Sequence, residues 1–290
     1  MAAITASLIK ELRERTGVGM MDCKRALAET DGDIEVAIEN LRKAGAAAAA
    51  KKAGRIAAEG VIAKATNDST VVLVEVNSET DFVAKDDGFL GFANGVAQTA
   101  LDTNPADVNA LNESDLNGIS VEKARQTLIT KIGENLSVRR FERVEADGGV
   151  VGAYLHGVKI GVMVKLKGGN TELANDVAMH VAASNPSCIS EAEMPAEVLE
   201  KEKDIFVAQA RESGKPDNII EKMIEGRMKK FLKENTLLGQ AFVKNPDQSI
   251  EQLLKAADAE IISFTRYEVG EGIEKKEDDF VAEVMAQAGQ

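Results

Sequence analysis

The residues able to do chemistry are few, and most stand in the wrong company for it. Histidine occurs twice, at His156 and His180, and cysteine twice, at Cys23 and Cys188. The cysteines lie far apart and form no metal-type spacing, and Cys23 suits a helix interior as a small apolar residue. His156 precedes Gly157 in turn-like sequence, where a side chain is ordinarily solvated. His180 sits beside an apolar helical stripe, the usual place of a hydrogen-bonded structural histidine. There is no GxxxxGK[ST], no GxGxxG after a strand, no HExxH and no CxxC. Asp86-Asp87-Gly88 suggests a calcium loop, but the further ligand spacing and the closing Glu are missing. Neither a metal nor a cofactor is expected, and catalysis would need a carboxylate pair that the sequence does not display.

What remains is NSETDFVAKDDGF, residues 77 to 89, which sets Phe82 among acids directly after the apolar run Val71 to Val76. Phe82 and Phe89 are seven residues apart, the spacing of one helix face, so periodicity alone places Phe82 in the core. Gly88 behind two Asp residues argues otherwise, because it is a poor helix interior and a good boundary. If the chain breaks there, Thr80 to Lys85 is its own single turn, capped by Thr80, and Phe82 is free to point away. On spacing alone the core reading is the stronger.

Composition bounds the partners. The chain has 290 residues, 44% hydrophobic and 29% charged, with 4% aromatics, no Trp and a net charge of −13. That length allows two or three compact units, whose cores Ala, Val, Ile and Leu must fill. So acidic a chain is not built to grip a nucleic-acid backbone through its overall field; proteins or cations fit better. No apolar run is long enough to span a bilayer. Two isolated cysteines and no secretory signal make a reduced, cytoplasmic setting the default expectation.

The elements follow from period and punctuation. Leu8 and Leu12 mark a first helix with Thr5 or Ser7 as cap, and Cys23, Ala26 and Leu27 a second. Asp33 caps a third, with Ile34, Ile38 and Leu41 on one face. Residues 44 to 54, AGAAAAAKKAG, read as an exposed, partly helical linker, so removing residues 1 to 54 is expected to leave a folded core. A β-hairpin follows, Gly60 to Ala65 and Val71 to Val76. Next come a helix from about Asp87 with Phe89, Ala93, Val96 and Ala100 on one face, and a polar stretch from 102 to 118. A helix of Val121, Ala124, Leu128 and Ile132 ends at Gly133, before a strand from Leu136 to Val144. The order recurs: a hairpin of Val150 to His156 and Val158 to Lys167, a helix with Leu173, Val177 and Val181, a capping box at Ser249 and Gln252, and a strand from Ile261 to Val269. Arg140-Phe141-Glu142 and Arg266-Tyr267-Glu268 correspond in type, so the second unit reads as a degenerate copy of the first. Within the copy, residues 196 to 212 and 217 to 234 read as a helical hairpin about Gly214 and Pro216. Val198, Leu199, Ile205 and Phe206 face Ile220, Met223, Ile224 and Phe231. The tail from 270 to 290 is acidic and ends in a short helix with Phe280, Val281 and Val284. The expected class is α+β, with antiparallel sheets. Its parts are residues 1 to 54, 55 to 148, 149 to 269 with the hairpin at 196 to 234, and 270 to 290.

ELRERTGVGMMDCKRAL, EVNSETDFVAKDDGF, KIGENLSVRR, MHVAASNP, SGKP, EGRMKKF and FTRYEVGEGIE run in that order along nearly the whole chain. In them the sequence resembles the elongation factor Ts family, guanine-nucleotide exchange factors of elongation factor Tu. The resemblance implies a three-helix, UBA-like N-terminal module, two similar subdomains, an inserted helical hairpin and a C-terminal module. It implies that Thr80, Asp81, Phe82 and Val83 enter the GTPase domain of elongation factor Tu near its bound magnesium. Arg13, Met20 and Met21 would dock the N-terminal module on the same domain, and His156 would meet another domain of the partner. It reverses the core reading of Phe82, and it makes the acidic charge sensible, because the target is a protein and neither nucleic acid nor membrane. Two other classes stand beside it: a protein-binding adaptor using the three-helix module, and an enzyme with an unrecognised carboxylate site.

Overall fold

The computed structural model describes residues 4–16, 18–212 and 215–274. Its N-terminal part is three helices, α1 (Ala6–Thr16), α2 (Met20–Glu29) and α3 (Ile34–Lys52). The Thr5 hydroxyl accepts the Leu8 N–H at 3.2 Å, and Asp33 caps α3 by accepting the Val36 N–H. Leu12, Cys23, Leu27 and Ala37 fill their shared interior, so Cys23 is a core residue as expected.

A change of period to two begins the first sheet. It contains β1 (Glu59–Thr66) and β2 (Thr70–Ser78), covered by α4 (Asp87–Thr103). Then come α5 (Val108–Glu113), the short pair β3 (Asp115–Leu116) and β4 (Ile119–Ser120), α6 (Val121–Ile132) and β5 (Leu136–Glu145). The stretch from 102 to 118, expected only to be polar, thus carries a helix and a strand of its own, with Leu111 buried beneath it. The sheet order is β1-β2-β5, all antiparallel. Phe89, Val96, Ile129 and Leu136 lie in its core. Gly133 ends α6 at φ 87°, its N–H on the Ile129 carbonyl.

The partly helical, largely exposed stretch expected over residues 44 to 54 is found, but it is packed along one side, which the expectation of a linker left out. Residues 44 to 52 continue α3, and Gly45 and Ala49 are buried on its inner side. A Cβ on Gly45 would stand 3.4 Å from the Thr130 hydroxyl of α6, so α3 and α6 pack closely here. Ala49 belongs to the same apolar cluster as Phe89. Removing residues 1 to 54 would therefore uncover part of the core.

The second sheet repeats the connectivity. It is built from β6 (Val150–His156), β7 (Ile160–Lys167), α7 (Thr171–Ser184), α8 (Ala196–Arg211) and α9 (Asp217–Asn235). β8 (Ala241–Phe242), β9 (Asn245–Ser249), α10 (Ile250–Ala256) and β10 (Glu260–Glu268) complete it. The order is β10-β7-β6, so in both sheets the last strand pairs with the second arm of the hairpin. Ser249 and Gln252 form the capping box of α10. His180 is fully buried. Its Nδ1 accepts the Val243 N–H, and its Nε2 lies 2.9 Å from the Gln240 Oε1, whose amide nitrogen donates elsewhere. That places the ring proton on Nε2, and burial pushes the imidazole pKa down: a structural histidine.

α8 and α9 form the expected hairpin, with Phe206 and Phe231 edge to face at 6.5 Å. Val198 and Ile205 lie outside the seam and are exposed, because Leu199 and Phe206, one residue on, take the inner face. Pro216 stands at the N-cap position of α9, its carbonyl accepting the Ile219 and Ile220 N–H groups. Gly214 and the tail helix with Phe280, Val281 and Val284 lie outside the described residues.

The two sheets meet back to back through Ile62, Val71, Leu73, Val151, Met163 and Tyr267. At the edge of this seam lies a buried carboxylate. Glu75 of β2 is 0% exposed. It accepts from Asn77 Nδ2 at 3.0 Å, Arg139 Nη1 at 3.0 Å, Arg140 Nε at 2.6 Å and the Gly270 N–H at 2.8 Å. Consecutive strand residues normally point to opposite faces. The β2–β5 register shifts at Glu75/Val76, leaving Arg139 unpaired, and this bulge lets both arginines reach one acid. They continue to the carbonyls of Glu271 and Glu268, and Arg140 stacks 4.1 Å from the Tyr267 ring centre. Burial pushes the Glu75 carboxyl up, but the Gly270 N–H, Asn77 and the arginines outweigh it and hold it below the ordinary value of 4.5.

Glu75→Ala is expected to cost about 3–5 kcal/mol, because it strands two arginines at the seam, and chemical denaturation measures it. Since the folded carboxyl titrates below the unfolded one, its contribution is complete above pH 4.5 and is lost as pH falls through the lower folded value. Glu75→Gln should flatten the acid limb of a stability–pH curve; an unchanged limb would mean that other carboxylates set it.

Candidate functional site

The segment after β2 is held from both sides. β2 and β5 pair to their ends, Ser78 opposite Leu136, so the residues just beyond face one another. There the Asn135 N–H donates to Glu79 Oε1 at 2.6 Å, while Glu134 Oε2 accepts the Thr80 N–H at 3.0 Å. Glu134 Oε1 accepts the Thr80 hydroxyl at 2.7 Å, and the Ser78 hydroxyl donates to the Thr80 carbonyl. Arg55 pairs with Glu79, and Asn135 Nδ2 binds the Arg55 carbonyl. The ladder thus continues through side chains after the strands have ended. Thr80 is spent on this lock and does not cap the following turn, contrary to the expectation from sequence.

The next residues make a single 3₁₀ turn, Val83–Lys85, before Asp86 caps α4 by accepting the Phe89 N–H. Val83 and Ala84 enter the core beside Phe89. Phe82 points the other way and is 80% exposed, more than any other large apolar side chain among the described residues. The core placement suggested by spacing alone is therefore wrong: the helix phase of Phe89 does not reach back through the break before Gly88. Lys85 Nζ sits 5.8 Å from the Phe82 ring centre and 2.7 Å from the Asp81 carboxylate. The Lys85 hydrogen bond holds the Asp81 carboxyl below its ordinary range, so that acid stays ionised. The result is a ledge held by side-chain hydrogen bonds, with an aromatic tip and, beside it, a carboxylate paired with Lys85.

The other sequence-derived residues lie elsewhere. Met20 and Met21 open α2 and are 58% and 73% exposed, and Arg13 is exposed on α1. Neither methionine belongs to the three-helix core. His156 ends β6, exposed, with Nδ1 at 3.4 Å from the Tyr154 hydroxyl. Beyond the turn after His156, Lys159 binds Glu59 at 2.5 Å, and the two charges act on the Asp81 carboxyl in opposite senses. Val83 is the one member of the segment that faces inward, as its anchor. Glu79, Glu134 and Asn135 were given no role from sequence. Their signal was an acid and an amide directly behind the helix-ending Gly133, opposite the end of the hairpin. Among the described residues no cluster of His, Cys, Asp and Glu could hold a metal ion.

The family model described as Elongation factor TS matches residues 79–271, the ledge included. The chain is 62% identical to the Elongation factor Ts of Alkalilimnicola ehrlichii over 288 residues, 99% of each chain. It is 60% identical to that of Thioalkalivibrio sulfidiphilus, over 98% of each, and 58% identical to that of Legionella pneumophila, over 99% of each.

The chain belongs to the elongation factor Ts family.

It is thus a translation elongation factor, and the α+β architecture of two antiparallel sheet-and-helix units behind a helical module is that of an elongation factor Ts. No helix among the described residues is long and apolar enough to cross a membrane. At the ledge the carboxylate of Asp81 is paired with Lys85 and the Thr80 hydroxyl with Glu134, while Phe82 is left exposed. An exposed aromatic is the kind of side chain that anchors protein interfaces.

Glu134→Ala should free the ledge without unfolding the sheet. It leaves the Thr80 N–H and hydroxyl without their acceptor, at a cost of about 1–3 kcal/mol, and Glu134→Gln should cost less. Amide hydrogen exchange is the measurement: Thr80 should lose protection in the Ala variant while Val72 and Val74 keep theirs. Unchanged protection at Thr80 would show that Glu134 does not hold the segment.

Proposed function

We propose that this chain is a guanine-nucleotide exchange factor that binds elongation factor Tu, in its GDP-bound and nucleotide-free forms, and speeds GDP release. The observation that carries the reading is the 80% exposed Phe82 on a ledge locked by Glu134. Thr80, Asp81, Phe82 and Val83 form the working segment: Phe82 enters the partner, Asp81 brings a carboxylate, Thr80 locks the base and Val83 anchors it. A phenyl wedge that parts the elements holding Mg²⁺ weakens the metal's grip on the nucleotide phosphates, since Mg²⁺ tolerates little departure from its coordination geometry. Asp81 adds negative charge where the phosphates already supply it. No bond is made or broken by the factor, so it works as a binding protein in the cytoplasm with no metal or cofactor of its own.

The exposed Arg13, Met20 and Met21 suit docking on the same GTPase domain, and His156 suits a second contact. Methionine side chains adapt to an apolar partner surface, and these two have no role in their own core. By linkage, a factor that binds the nucleotide-free partner more tightly weakens nucleotide binding by the same ratio. The same methionines would serve a plain adaptor built on the three-helix module. An adaptor binds without changing the rate of GDP release, and an enzyme turns over a small molecule unaided.

Stopped-flow release of labelled GDP from elongation factor Tu separates these readings, and Phe82 is the residue to change. Phe82→Ala should leave the melting temperature nearly unchanged and slow catalysed release by more than tenfold, as a hot-spot loss of about 2 kcal/mol or more requires. Phe89→Ala is the contrasting case. It empties a fully buried site and should cost about 3–5 kcal/mol of stability. Asp81→Asn should slow release less than Phe82→Ala, since it removes charge and keeps shape. Normal exchange by a folded Phe82→Ala protein would end the wedge reading.

A further inference from the structure

One cavity of about 120 Å³ lies where the three-helix module meets the core, outside the ledge. Its wall draws one cation from each of four helices: Arg15 of α1, Arg25 of α2, Arg42 of α3 and Lys123 of α6. A single carboxylate, Asp22, lines it as well, in a chain whose net charge is −13. Arg25 is paired with Asp22 at 2.5 Å, and Arg15 with Glu35 at 2.7 Å. Arg42 and Lys123 are exposed and make no ion pair among the described residues. Ile38 and Leu41 form part of the floor.

We propose that this cleft binds a small molecule carrying a diphosphate group. Guanidinium forks match phosphate oxygens two at a time, and the ammonium of Lys123 supplies a point charge from α6. Arg42 on α3 and Lys123 on α6 are the two lining cations without an ion pair among the described residues, one on each side of the cavity, and two linked phosphates can meet one each, with the paired Arg15 and Arg25 as further donors. Ile38 and Leu41 offer an apolar surface for an organic group attached to the phosphates. The cavity is too narrow for a folded partner, and a ligand there would bridge α3 and α6 and so tie the module to the core.

Calorimetric titration of the full chain with inorganic pyrophosphate, and separately with ADP, at low ionic strength tests the site. One saturable site is expected, with a raised melting temperature, since a ligand bound to the folded state stabilises it. Arg42→Ala and Lys123→Ala should each weaken pyrophosphate by about tenfold, the loss of one charge-assisted contact. Both residues are exposed, so their unliganded melting temperatures should match the parent. Lys64→Ala, an exposed lysine on β1, should bind as the parent does. Tighter binding of ADP than of pyrophosphate identifies an organic diphosphate, and equal binding an inorganic one. Absence of saturable binding, or binding undiminished in the Arg42→Ala/Lys123→Ala double variant, overturns the proposal. So does saturable binding of a Glu-rich peptide in place of both phosphates.

Discussion

The molecule is organised around one buried charge. Glu75 could not stay ionised and dry without compensation, and four donors from three parts of the chain supply it. Asn77 lies on the same strand, the arginines on the strand beside it, and Gly270 beyond the end of the other sheet. The acid therefore reads whether the two sheets are in register with each other. An apolar seam resists separation but tolerates sliding, whereas a carboxylate with fixed donors does not. The bulge at Arg139 follows from the same demand, because without it only one of two consecutive arginines would face Glu75.

The ledge inherits that order. β2 carries Glu75 and ends three residues later at Ser78; β5 carries the arginines and begins at Leu136. The same strand pair that is bolted at Glu75 is extended by the Glu79, Thr80, Glu134 and Asn135 bonds, so Phe82 stands two residues from the end of a braced ladder. An exposed aromatic on a mobile loop would have to be ordered on contact, at an entropic cost. Here Val83 in the core and Asp86 at the head of α4 fix the segment from the far side, so little ordering is left for binding to do.

Most of the fold was legible because period and punctuation agreed. Gly133, Asp33 and the Ser249–Gln252 box ended or began helices where expected, and the two hairpins matched in pattern and in pairing. The misreadings share a cause: local rules cannot see a distant surface. AGAAAAAKKAG has the composition of a linker, and only the presence of α6 opposite Gly45 and Ala49 makes it a packed helix. Val198 and Leu199 are equally apolar, and the partner helix chooses between them. Phe82 is the instructive residue. Its spacing from Phe89 argued for burial, and the family motif, not the periodicity, pointed outward. The lock on Thr80 was hidden because its acceptor lies 54 residues away, although strand register would have brought the two together.

On the proposed reading, the separation of the exposed groups has an energetic meaning. Only contacts that differ between the nucleotide-bound and nucleotide-free partner can accelerate release; contacts made equally in both raise affinity alone. Burying one phenyl side chain contributes about 1.5–3 kcal/mol, which accounts for about one to two orders of magnitude in rate if all of it is made in the open state only. Arg13, Met20 and Met21 sit on a module with its own core, and on this reading they would bind a surface that need not change as nucleotide leaves. Their contribution is then uniform, holding the factor on its partner through both states. Phe82 and Asp81 would then supply the difference, and the braced ladder behind them would let them press on the partner without giving way themselves.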